Sequence, residues 1–265
     1  MIPRARWELR AVCSVLLAAV VSGGAAFAQV PAQSSSPSHT AAAPAAPSVD
    51  QILDKYAEAT GGRAAWQKVT SRVSKGTIEV EGMNIAGAVE MREKVPNRVV
   101  VTVTISGAAF IQGFDGTVGW SSDPQNGVRE LNGAELAETR RDADFHRLLD
   151  LRSLYAKVNV AGTEKIDEHD AYVVEATPSD GGDADKIYFD SQTGLALRSI
   201  TQHHMPDGSV EPFQEDFEDY RAVDGVKMPF TIRQKTSEAV FTIRIDEVHQ
   251  NVALDDAGFA KPTAQ

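Results

Sequence analysis

From Phe230 onward the chain alternates apolar and polar residues with a period of two. Phe230 and Ile232 stand against Thr231 and Arg233, then Phe241, Ile243 and Ile245 against Thr242, Arg244 and Asp246. Successive side chains of a strand point to opposite faces, so one face of each run is dry. Turn signals at Asp224-Gly225, at Met228-Pro229 and near Ser237-Glu238 divide this region, beginning at Phe213, into an antiparallel meander. The same period appears earlier. Ile85, Gly87, Val89 and Met91 alternate with Ala86, Ala88, Glu90 and Arg92, and Val99, Val101, Val103 and Ile105 alternate with Val100, Thr102 and Thr104. Glu81-Gly82 and Pro96-Asn97 are the turns that make these runs neighbours. AAFIQGF, the turn Asp115-Gly116 and TVGWSSDP form another hairpin, and AYVVEAT, KIYFD and LALRSITQHHM resume the strands after residue 170.

Two stretches carry helical periodicity instead. Ser48 is placed to cap a helix with Ile52, Leu53 and Tyr56 on one side, which Gly61-Gly62 ends. Ala134 to Tyr155 lacks Gly and Pro and sets Leu136, Ala143, Leu148, Leu151 and Tyr155 near one stripe, with Asn132 as its cap, which predicts a single long helix. The fold expected is α+β: a large antiparallel sheet of about ten or eleven strands, its apolar face covered by helices.

Composition narrows the function. Arg4, Arg6 and Arg10, the apolar run Ala11 to Val21 and Ala26-Phe27-Ala28 predict a signal peptide over residues 1–28. Residues 29–48, rich in Ala, Pro and Ser, read as a flexible linker, and residues 49–265 as one folded domain. Cys13 is the one cysteine and falls in the leader, so neither disulfide nor thiolate chemistry is expected in the mature chain. Losing the leader's three arginines and one glutamate takes the net charge from −11 to −13. An acidic body is repelled by nucleic acid, which is excluded as a partner. His203-His204 point to opposite faces of a strand and do not converge on a metal ion. The acidic run Glu211, Glu215, Asp216, Glu218 and Asp219 lacks a calcium loop and reads as the outer face of a strand. There is no G-x-S-x-G elbow and no phosphate loop, so no enzyme, cofactor or metal is expected.

The hairpin Phe114-Asp115-Gly116-Thr117-Val118-Gly119-Trp120 with Asp123-Pro124, and the pattern from Asp219 to Phe230 (DYRAVDGVKMPF), resemble periplasmic lipoprotein carriers of the LolA type and the related outer-membrane lipoprotein-sorting proteins. Thr117 stands where those carriers usually have Lys. The resemblance implies a half-open barrel whose concave face, plugged by helices, takes acyl chains. It implies an exported protein of the Gram-negative periplasm that binds lipid or an acylated lipoprotein, with inner- and outer-membrane proteins as further partners. A protein-interaction or envelope-stress sensor module on the same scaffold is the alternative. If the odd positions of the early strands face inward, Val89, Met91, Val99, Val101, Val103 and Phe110 line the cavity, Trp120 is a further lining candidate, and Leu136, Leu148 and Leu151 cover it.

Overall fold

The computed structural model describes residues 46–179, 182–204 and 209–263. The predicted signal peptide, and the linker up to residue 45, lie outside the described residues. The chain opens with helices α1 (Val49–Ala59) and α2 (Arg63–Trp66). Six strands follow: β1 (Ser71–Val80), β2 (Ile85–Lys94), β3 (Arg98–Ile105), β4 (Ala108–Phe114), β5 (Gly119–Asp123) and β6 (Gly127–Glu130). After α3 (Gly133–Asp142) and α4 (Leu151–Leu154) come β7 (Lys157–Ile166), β8 (His169–Thr177), β9 (Asp185–Asp190), β10 (Ala196–His204), β11 (Val210–Val223), β12 (Val226–Lys235) and β13 (Val240–Gln250).

All thirteen strands of the described residues join one curved, unclosed antiparallel sheet in the order β6-β5-β4-β3-β2-β1-β13-β12-β11-β10-β9-β8-β7. Every pairing but one is between chain neighbours; β1 with β13 joins the two halves. The fold class matches expectation and the strand number exceeds it. β6 is four residues long, and β7 is an edge strand exposed along most of its length, so neither carries a strong apolar alternation. Met228-Pro229 is not a turn but part of β12. Pro229 sits opposite Tyr220, next to an irregularity at Asp219 (φ 53°), where the ladder tolerates a residue without an N–H.

α1 forms as expected. Ser48 Oγ accepts from the Gln51 N–H at 3.2 Å, and the Gln51 side chain accepts from the Ser48 N–H at 2.8 Å, a reciprocal capping box. Val49, Ile52, Leu53, Tyr56 and Ala57 recur at one-turn spacing and are buried. They pack on Val174, Ile187, Phe189, Ala196 and Val226, which identifies this as the inner face of the sheet.

The long helix predicted from Ala134 to Tyr155 does not form as one piece. α3 stops at Asp142 and only the short α4 follows, because the backbone between them finds one local side-chain acceptor and one distant backbone acceptor. Asp144 Oδ1 accepts from the His146 N–H at 2.9 Å, and the Phe145 N–H donates to Pro96 O at 3.0 Å. Asn132 stands at the N-cap position without a side-chain cap bond.

Candidate functional site

Two apolar regions meet on the inner face. One is the core beneath α1, joined by Phe145, Leu149, Leu151 and Tyr155. The other runs over β1, β2, β3, β12 and β13: Ile78, Val80, Val89, Val103, Ile105, Phe230, Phe241, Ile243 and Ile245 are buried, with Met91, Val101 and Ile232 half-buried beside them. Register explains the second. Val89 pairs with Val103 and Met91 with Val101, while Ile243 lies between Ile78 and Ile232.

A cavity of about 230 Å³ lies where the two regions meet. Ser74, Met91, Phe217, Met228, Ile232 and Ile245 form its sheet wall, and the segment Phe145–Leu149 with Tyr56 and Trp66 closes it. Arg72 is its principal buried charge, at 8 % exposure. Arg72 Nε and Nη2 donate to Glu93, its cross-strand partner, at 2.7 and 2.9 Å, and the guanidinium lies 5.0 Å over the Phe145 ring. Burial works against that charge, but Glu93 more than offsets it and the Arg72 pKa is raised. On the other wall Arg147 donates to Asp142 at 2.8 Å. Its burial too opposes the charge, yet the anionic partners led by Asp142 raise its pKa. Burial pushes the Tyr56 phenol up to about 12, so it stays a neutral, apolar wall.

α3 bridges strands β4 and β5 to β10. On one side Gln112 Nε2 donates to Thr139 Oγ1 at 3.2 Å and Leu136 packs by Gly119 of β5; on the other Glu138 pairs with the His204 side chain of β10. His203 stacks on Phe213 with ring centroids 4.4 Å apart, so the two histidines go to different partners. Among the described residues no group of His, Cys, Asp and Glu is assembled for a metal ion.

Of the residues expected at the site, Val89, Met91, Val101 and Val103 share the apolar region, and Met91 and Leu148 border the cavity itself. Val99 and Phe110 lie on the same face by register, opposite Phe114 and Val103. Leu151 is buried in the α1 core, and Leu136, Leu148 and Leu151 do not form one stripe. Trp120 belongs to the other face. It pairs with Gly113, which is flanked by inward positions, and its indole packs on Val100 and Phe259 while Nε1 donates to Phe259 O at 2.9 Å. Gly113 makes room for that ring: a Cβ there would stand 2.4 Å from it. Glu211 and Glu215 also depart from the expected outer face. Glu211 is 2 % exposed and accepts from Ser237 Oγ at 2.7 Å, and Glu215 accepts from Gln234 Nε2 at 3.1 Å. Arg72, Ser74 and Glu93 were missed; the signal was a polar alternation, Arg72 then Ser74, running into Ile78 and Val80 on the same face of β1.

At the far end Tyr155 OH donates to Asp185 at 2.6 Å. Burial, above all, raises the Asp185 pKa. A carboxyl whose folded pKa exceeds its unfolded value of about 4 costs stability as pH rises from that value through the folded one. Asp185→Asn is therefore expected to be more stable than the wild type at pH 7, with the gap closing as pH falls toward about 3.5. Urea denaturation of both proteins across that range checks it; a constant gap is the contrary result.

No protein-family model matches the chain, and no curated protein matches it. Solved structures do. A DUF1329 family protein from Desulfovibrio piger superposes with TM-score 0.53 at 16 % identity, covering 80 % of this chain and 97 % of that one. A LolA superfamily protein from Nitrosomonas europaea gives 0.52 at 15 % identity, covering 82 % and 99 %. Its fold is LolA-like. An outer membrane lipoprotein-sorting protein domain from Vibrio parahaemolyticus gives 0.51 at 12 % identity over 79 % and 95 %. In this LolA-like half-barrel the space between sheet and covering helices is where the cavity lies.

Proposed function

We propose that the protein is a non-enzymatic carrier that holds lipid acyl chains, free or on a lipoprotein, between the inner face of its sheet and the Phe145–Leu149 segment. The observation that carries this reading is the continuity of the cavity with the apolar region over β1–β3 and β12–β13. Each methylene moved from water into that region contributes about 0.8 kcal/mol, so a chain needs no charged anchor to bind. The cavity is smaller than the roughly 300–1,000 Å³ of most ligand sites, so a long chain displaces the covering segment. The likeness in fold to a lipoprotein-sorting domain supports the same reading. The signal peptide expected over residues 1–28 supports a periplasmic carrier, working between inner- and outer-membrane proteins.

Native mass spectrometry of protein purified from a Gram-negative periplasm tests the proposal. Co-purified lipid or acylated peptide is the expected result. Protein that emerges empty and takes up no apolar probe overturns it, and an empty protein holding an unacylated peptide favours the sensor module instead.

A further inference from the structure

Two donors on β1 face the cavity without the partners such groups normally have. Ser74 is fully buried, lines the cavity, and its Oγ has no hydrogen-bond partner. A buried hydroxyl left unpaired is costly, and such groups in a folded protein point to an unseen partner. Arg72, two residues away on the same face, gives Nε and Nη2 to Glu93, whereas Nη1 meets the Met228 sulfur at 3.8 Å, a weak acceptor. Alternate residues of a strand are about 6.6 Å apart, within the span of one polar head.

The charge around these donors decides what they accept. Arg72, Arg147 and Lys227 on the cavity wall are matched in number by Glu93, Asp142 and Asp144. The wall therefore supplies no net positive field, and a carboxylate entering it would lose its hydration without gaining a counter-charge. An uncharged acceptor avoids that cost.

We propose that Ser74 Oγ and the Nη1 edge of Arg72 form a polar subsite that takes the carbonyl oxygen of an acyl ester, in preference to a free fatty-acid carboxylate, with the chain directed over Met91, Ile232 and Ile245. The proposal rests on the reading of the cavity as an acyl-chain site, and it assigns that site's specificity to the head of the ligand.

The test uses three probes at pH 8: diphenylhexatriene, which has no acceptor, and the chain-matched pair methyl oleate and oleate, read by displacement of its fluorescence. In the wild type methyl oleate is expected to displace the probe at concentrations at least tenfold below those of oleate. Ser74→Ala is expected to raise the ratio of the methyl oleate Kd to the diphenylhexatriene Kd about fivefold, the equivalent of one neutral hydrogen bond. It should also melt no lower than the wild type when empty, since it removes an unpaired buried hydroxyl. Arg72→Lys, which keeps a charge for Glu93 but loses the Nη1 donor, should raise the same ratio. If diphenylhexatriene binds and neither variant changes the ratio, or oleate competes as well as methyl oleate, the subsite is wrong and the acyl-chain cavity stands. If neither diphenylhexatriene nor methyl oleate binds the wild type, both readings fall.

Discussion

Replacing Glu93 with alanine is expected to cost about 3 kcal/mol of stability, the low end of what a broken buried ion pair costs, because the Glu93 side chain is itself 24 % exposed. In a domain of this size that lowers the melting temperature by roughly 6–12 °C. The cause is Arg72: at 8 % exposure, with Phe145 stacked on it, the guanidinium loses its bidentate partner and cannot regain water. The double variant Arg72→Met, Glu93→Leu should recover most of the loss, since a well-packed apolar pair often equals a buried ion pair. Thermal denaturation of the single and double variants checks both claims. A loss under about 1 kcal/mol for Glu93→Ala would mean that water in the cavity solvates the guanidinium.

The second large effect concerns binding. Val101→Glu is expected to reduce diphenylhexatriene affinity more than tenfold. Val101 is half-buried and faces Met91 and Gln112 across its two neighbouring strands, so the new carboxylate enters the apolar region while reaching toward water. Leu148→Ser should act differently. Leu148 borders the cavity from the turn segment between α3 and α4, which is short of regular backbone pairing, and such segments contribute least to global stability. Its substitution is expected to speed exchange of the probe while the protein melts within a few degrees of the wild type. Stopped-flow binding with calorimetric melting separates the two. If Leu148→Ser unfolds the protein as severely as Val101→Glu, the segment is an ordinary core element and the cavity does not open.

Much of this arrangement was legible in the sequence. The alternation of Val99, Val101 and Val103, and of Phe241, Ile243 and Ile245, determined strands with one dry face, because a two-residue period has a single geometric solution. Ser48 marked where α1 begins, and Ile52, Leu53 and Tyr56 which side it buries. The odd positions Val89, Met91, Val99, Val101 and Val103 share one face by register.

Other features were decided only by the tertiary structure. Leu136, Leu148 and Leu151 have helical spacing, but the bonds of Asp144 to the His146 N–H and of Phe145 to Pro96 O break the helix, and the second of these needs a partner 49 positions away that no local pattern announces. Trp120 has an aromatic's equal fitness for either face. The C-terminal turn that brings Phe259 against it, and the absence of a side chain at Gly113, chose the outer one. The polar floor of the cavity was hidden for a related reason. Arg72 and Ser74 look like solvent positions in a strand until β13, β12 and Phe145 close over them, because burial depends on curvature and long-range pairing that a single strand does not encode.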